Sequence, residues 1–279
     1  MKKGINIWSF PADTLENTFK LAADAGFEGV EVALESSGEI NLESTEKDLL
    51  AVKKTAQDCG IALYSMSCGL CWDYILNDDD PALRSKAKDI IKKQLSSAAA
   101  LGCESILVIP GVVNASFANP TRIIDYETTY NRSLEALQEL KETAEQYKVE
   151  IALENVWNKF LLSPMELRAF IDAVGSDYVG SYFDVGNAML TGYPEQWIKI
   201  LGKRIKKVHF KDFRTAVGTL DGFVDLLAGD VNYPAVTDAL KQIGYDGWVS
   251  AEMIPNYKYY TETIIYNTSN AMDKILGRK

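Results

Sequence analysis

The chain has 279 residues, 47% of them hydrophobic and 24% charged, the balance of an ordinary globular protein long enough to bury a large core. A net charge of −10 with no basic stripe argues against nucleic acid or an anionic membrane surface as a partner. No apolar run approaches the roughly 18 residues of a membrane span, and Met1-Lys2-Lys3-Gly4-Ile5-Asn6 lacks the apolar segment of a signal peptide, so the expected compartment is the cytoplasm.

In chain order, short apolar runs occur at Gly4–Trp8, Gly29–Ala33, Ile61–Ser67, Ser105–Pro110, Val149–Asn155, Val179–Asp184, Lys207–Lys211 and Trp248–Glu252. Several are almost continuously apolar, as parallel strands covered on both faces are. Between them Leu15–Ala25, Leu83–Leu101, Tyr130–Tyr147, Met165–Val174 and Val236–Ile243 show helical spacing of apolar residues. Ala25-Gly26-Phe27-Glu28-Gly29-Val30, Leu101-Gly102-Cys103-Glu104-Ser105-Ile106 and Ile243-Gly244-Tyr245-Asp246-Gly247-Trp248 form a weak repeat. Each sets glycine where a helix ends just before a strand, a place that favours the left-handed conformation. Ser163-Pro164-Met165-Glu166 reads as a helix start with an N-cap, a proline at the first turn and a capping-box glutamate.

Eight strand-then-helix units predict a closed (β/α)8 barrel, an α/β fold in one domain spanning residues 1–279. The other arrangement is an open doubly wound sheet, but no G-x-G-x-x-G follows an early strand to support it. In such a barrel function sits on the loops after the strands. Four of these are long: Cys68–Pro81, Gly111–Tyr126, Phe213–Tyr233 and Met253–Thr261. Their aromatics, among them Trp72, Tyr74, Phe117 and Phe223, suit the walls of a pocket.

Ionisable residues interrupt the last four runs. Glu154 ends the fifth, Asp184 the sixth and Glu252 the eighth, and His209, the one histidine of the chain, lies in the seventh. Consecutive strands would aim three carboxylates and an imidazole into one mouth. Like charges in a low-dielectric site repel, and a divalent cation offsets this economically. The donor set suits Mn²⁺ first, with Mg²⁺, Co²⁺ and Zn²⁺ as the other candidates. Taken singly, each acid could instead cap the next helix or pair with a lysine.

At these residues the chain resembles the xylose-isomerase-like superfamily of metal-dependent barrels, and within it the sugar and sugar-phosphate epimerases and isomerases. Glu154 in Ala152-Leu153-Glu154-Asn155, Asp184 in Asp184-Val185-Gly186-Asn187, His209 in His209-Phe210-Lys211-Asp212 and Glu252 in Ala251-Glu252-Met253 carry that resemblance, which spans the chain. Free-ketose 3-epimerases have a histidine a few residues past the strand-six aspartate, where Asn187 stands here. They also have a glutamate past the strand-five acid, where Trp157-Asn158-Lys159-Phe160 stands. Both departures weigh against a free ketose.

The resemblance implies proton transfer next to a ketose carbonyl through a metal-stabilised enediolate, with Glu154 and Glu252 as the proton-transfer pair and all four residues as metal ligands. Its expected outcome is 3-epimerisation, with aldose–ketose isomerisation open at the same site. Arg214, Asn187, Lys211 and Trp157 are candidate substrate contacts, with Asp212 behind the site and Lys258 as a second phosphate donor. The resemblance also implies a homo-oligomer, a dimer or tetramer. An inosose-type dehydratase and a non-catalytic sugar-binding barrel that keeps its metal remain as alternatives.

Two further motifs are read structurally. Cys68-Gly69-Leu70-Cys71 lacks the second ligand pair of a zinc site and is assigned to packing, and Asn77-Asp78-Asp79-Asp80-Pro81 to a solvated turn before a helix.

Overall fold

The computed structural model describes residues 1–119 and 121–278. Residue 120, inside the long loop expected at Gly111–Tyr126, and residue 279 lie outside the described residues. Eight parallel strands close into a barrel: β1 (Lys2–Asn6), β2 (Gly29–Leu34), β3 (Ala62–Cys68), β4 (Ser105–Val108), β5 (Glu150–Glu154), β6 (Val179–Asp184), β7 (Ile205–Phe210) and, after a small antiparallel ribbon of β8 (Asp212–Phe213) and β9 (Phe223–Val224), β10 (Trp248–Ala251). Each barrel strand pairs with its sequence neighbours, and β1 pairs with β10 to close the ring. The open doubly wound sheet is thereby excluded.

Helices α1 (Leu15–Asp24), α2 (Glu46–Asp58), α3 (Pro81–Leu101), α4 (Tyr126–Tyr147), α5 (Pro164–Val174), α6 (Val185–Ala188), α7 (Pro194–Leu201), α8 (Tyr233–Gln242) and α9 (Thr263–Ile275) make the connections and the C-terminal cover. Gly26, Gly102 and Gly244 take left-handed φ values of +83°, +84° and +75° at the ends of α1, α3 and α8. The repeated glycine thus terminates three helices by one device. Ser163 caps α5 by accepting the Glu166 N–H, as the sequence predicts.

Four helices, α2, α6, α7 and α9, add to the five expected from sequence. In α2 only Leu49, Val52 and Ala56 are buried, and its capping box uses Asp48 in place of the usual Glu or Gln. α6 is a single turn, α7 spans only eight residues, and half of the buried face of α9 is polar, through Thr268, Ser269 and Asp273. The first apolar run ends early: Asn6 accepts the Trp8 N–H and turns Ile7–Ser9 into a 3-10 turn.

The barrel interior is filled by side chains, several of them polar. Tyr64 stacks on Trp248 with ring centroids 4.1 Å apart, and its hydroxyl lies 2.6 Å from Ser250 Oγ. Gly29 makes room for this: a Cβ there would sit 2.7 Å from the Ala62 carbonyl oxygen and 2.8 Å from Tyr64. Outside the strands, Phe19 of α1 and Phe170 of α5 are wholly buried, each contributing roughly 1.5–3 kcal/mol.

Candidate metal centre

The C-terminal ends of β5, β6, β7 and β10 bring the four expected residues together. Glu154 is the last residue of β5 and Asp184 the last of β6. His209 pairs in register with Asp184 across β6 and β7, and Glu252 follows β10 with its N–H donated to the Phe210 carbonyl at 3.2 Å. All four are buried, and one donor atom from each lies within 4.8 Å of the others. His209 Nδ1 is 3.5 Å from Glu154 Oε1, 3.5 Å from Glu252 Oε2 and 3.8 Å from Asp184 Oδ2.

Local hydrogen bonds set the aim of these groups. Asn155 grips the Asp184 backbone on both sides, accepting its N–H at 2.8 Å and donating to its carbonyl at 2.8 Å. Asp184 also caps α6: its Oδ1 accepts the Asn187 N–H at 2.7 Å. The capping explanation of this acid is therefore correct for one oxygen only. Asp184 Oδ2, His209 Nδ1 and Glu252 Oε2 are buried and converge; His209 Nδ1 has no hydrogen-bond partner among the described residues, and the two carboxylate oxygens meet only the Lys211 ammonium, the lysine pairing that the sequence left open for these acids. One ammonium does not balance three buried carboxylates, and a further cation would. The donor set, carboxylates plus one imidazole, fits a divalent metal ion.

A lysine ammonium partly offsets the negative charge. Lys211 Nζ lies 3.4 Å from Asp184 Oδ2, touches Glu252 Oε2 and sits over the Phe223 ring at 5.3 Å. Burial pushes the Glu154 carboxyl up to about 7, with the nearby Glu252 and Asp184 carboxylates adding to the rise and His209 opposing it. Asp184 is also raised by burial, against the pull of Lys211. Burial would lower His209, but Glu31 and Glu252 outweigh it and hold the imidazolium well above its ordinary range.

Glu31 was missed by sequence reasoning. It stands in β2, wholly buried, with Oε2 at 3.2 Å from His209 Nε2. A charged residue inside the apolar run Gly29–Ala33 was the available signal, but nothing local says that it reaches the seventh strand.

The candidate substrate contacts divide. Trp157 donates from Nε1 to the Asn187 carbonyl at 3.2 Å, and Asn187 Nδ2 reaches Glu154 Oε1 at 3.5 Å. Both residues line a cavity of about 580 Å³ beside the centre, walled mainly by apolar groups such as Phe160, Leu162 and Trp197. The four clustered residues do not themselves line it. Arg214 is exposed and donates to the Ala228 carbonyl at 3.1 Å, and Lys258 is exposed over Tyr259 at 5.6 Å. Asp212 turns into its own loop, accepting N–H groups of Phe213, Leu227 and Val231 at 2.9, 2.8 and 3.1 Å. Cys68 and Cys71 border a small apolar cavity under α3. Burial raises the Cys68 thiol to about 12 and the Cys71 thiol well above its usual range, which fits packing and not thiolate chemistry.

A closed eight-stranded barrel with a buried acid-and-imidazole cluster at the ends of consecutive strands defines an α/β barrel with a candidate metal site, and the comparisons agree on the barrel. Residues 19–267 match the xylose isomerase-like TIM barrel family, and the chain belongs to that family. The inosose isomerase of Bacillus velezensis is 26% identical over 281 residues, covering 96% of this chain and 95% of that protein. The L-ribulose-5-phosphate 3-epimerase UlaE of Escherichia coli is 24% identical over 237 residues, covering 84% and 80%. The solved structure of an IolI protein with a zinc atom superposes with a TM-score of 0.81 at 21% identity, covering 100% of this chain and 99% of that one. Relatives of this chain are thus sugar epimerases and isomerases, and among the described residues no helix is long and apolar enough to cross a membrane.

Proposed function

We propose that the protein is a metal-dependent epimerase or isomerase of a ketose or ketose phosphate, with 3-epimerisation as its favoured reaction. The observation that carries this reading is the placement of two buried glutamates, Glu154 and Glu252, each 3.5 Å from His209 Nδ1 on strands separated by β6 and β7. They approach one point from different sides of the barrel mouth, as a two-base inversion requires.

Glu154, Asp184, His209 and Glu252 would hold the cation, Mn²⁺ first by the donor set and Zn²⁺, Mg²⁺ or Co²⁺ next, and the bound ion supplies Lewis acidity toward the substrate's carbonyl oxygen. One glutamate carboxylate removes the proton from the carbon beside that carbonyl, giving an enediolate. The other glutamate, in its acid form, returns a proton to the opposite face and inverts the carbon. Delivery to the neighbouring carbon instead makes the reaction an aldose–ketose isomerisation. Asp184 and His209 bind without moving protons. Asn187 and Trp157 border the space beside Glu154 and position the substrate's remaining carbons. Lys211, beside Glu252, donates to a substrate oxygen. Arg214 reaches a hydroxyl or phosphate on release from Ala228, its partner in this structure.

The inosose isomerase relative favours one second reading, a cyclic polyol ketone as substrate, with water loss as the alternative outcome. The test is a metal-supplemented panel of ketoses, ketose phosphates and inososes in D₂O, run beside Glu154→Gln and Glu252→Gln. Deuterium uptake without water loss, reduced about 10²–10⁴-fold in both variants, is expected. An enone or diketone product would indicate dehydration, and binding without exchange a non-catalytic barrel. Full activity in either variant overturns the assigned roles. We place the protein in the cytoplasm as a dimer or tetramer, which light scattering tests.

A further inference from the structure

Glu31 collects donors from five other strands. Its Oε1 accepts from Asn6 Nδ2 at 2.9 Å and from Ser67 Oγ, and its Oε2 takes Tyr182 OH, Ser250 Oγ at 3.5 Å and His209 Nε2 at 3.2 Å. These partners stand on β1, β3, β6, β10 and β7. The carboxylate therefore has little freedom to turn, and it faces the far side of the imidazole from the cluster of acids.

That placement settles the chemistry of the ring. A neutral imidazole carries one N–H and one lone pair, and a carboxylate can only accept. When the ring is neutral, as ligation requires, its one proton sits on Nε2, pointing at Glu31, and the lone pair on Nδ1, the atom 3.5 to 3.8 Å from Glu154, Glu252 and Asp184. With the proton on the other nitrogen, the ring would turn an N–H toward the centre and could not ligate. We propose that Glu31 is a positioning residue of the metal centre: through Nε2 of His209 it fixes the tautomer and ring orientation that present Nδ1 as a ligand, and its charge strengthens that ligand. The inference rests on reading the four-residue cluster as a metal site.

A carboxylate behind a ligating histidine typically contributes 10- to 100-fold in metal affinity. The chain holds a single histidine, so the imidazole signals of ¹⁵N-labelled protein come from His209 alone. Zinc is the probe, since it is diamagnetic. In the zinc-loaded wild type the ring proton should reside on Nε2, and Nδ1 should carry the metal shift. Glu31→Gln keeps the shape and an acceptor but removes the charge. It should leave the fold intact, weaken zinc 10- to 100-fold in a chelator competition, and move the Nε2 proton upfield as its hydrogen bond weakens. Glu31→Asp should recover part of the affinity.

A ring proton on Nδ1 in the zinc-loaded wild type overturns the inference whether or not the variants fold. Unchanged zinc affinity and an unchanged imidazole spectrum in a folded Glu31→Gln protein overturn it as well, and leave the metal site standing. A wild type that takes up no zinc, manganese, magnesium or cobalt ends the metal reading and this one together.

Discussion

Lys211→Met tests the electrostatics of the centre most directly. The Lys211 side chain is 14% exposed and its ammonium lies 3.4 Å from Asp184 Oδ2, so the attraction to that oxygen alone is about 5 kcal/mol at an effective dielectric near 20. Desolvation offsets part of this, and removing one partner of a buried pair costs roughly 3–5 kcal/mol net. Methionine preserves the length and the contact with Phe223, so the loss is mainly of charge. With an unfolding entropy of about 2.1 cal/mol/K per residue over 279 residues, that loss lowers the Tm of chelator-treated protein by about 5–8 °C. A divalent cation replaces the missing charge among Glu154, Asp184 and Glu252. Its stabilisation, about 2.7 kcal/mol at a hundredfold excess over Kd in the wild type, should therefore be larger in the variant. Calorimetric melts with chelator and with added manganese measure both quantities. A chelated variant that melts with the wild type, or a smaller cation-induced rise in Tm than the wild type's, would refute the argument.

Cation affinity should rise with pH. Glu154, whose carboxyl titrates at about 7, and His209, held well above its ordinary range, each lose a proton when they ligate. Below about pH 7 affinity then climbs toward a hundredfold per pH unit, and above it toward tenfold, until His209 too is neutral. Calorimetry in buffers of different ionisation enthalpy counts the protons, and an affinity flat from about pH 5.5 to 8 would contradict this account. Asn155→Ala strands the Asp184 N–H and carbonyl, at a cost of about 1–3 kcal/mol for each buried group. Cation binding should weaken with it; a variant matching the wild type in urea melts and in metal titration would show that Asn155 does not aim Asp184. Gly29→Ala drives a Cβ to 2.7 Å from the Ala62 carbonyl oxygen and should destabilise the barrel by about 1–3 kcal/mol or more, read as a lower urea midpoint.

Much of this protein was written locally. Eight apolar runs of strand length, five of them followed by a legible helix, were enough to point to the barrel. The glycines at 26, 102 and 244 marked helix ends because only a residue without a Cβ takes a left-handed cap cheaply. The acids at 154, 184 and 252 and the histidine at 209 stood out because a charge at the end of an apolar run has to face something. Those are single-segment signals, and barrel topology turns them into one site.

What needed the tertiary structure is every relation across the barrel. Alternation shows which residues of a strand point inward, but the stagger of strands around the closed ring decides which of them meet. That stagger sets Glu31 of the second strand against His209 of the seventh. It also brings Lys211 onto Asp184 and Glu252, while three residues on Arg214 is held at the Ala228 carbonyl. Asp184 divides its two oxygens between a helix cap and the centre, a division invisible in sequence because both uses call for the same residue at the same strand end. Local chemistry specified the clustered residues; long-range register specified their orientation and the charges that face them.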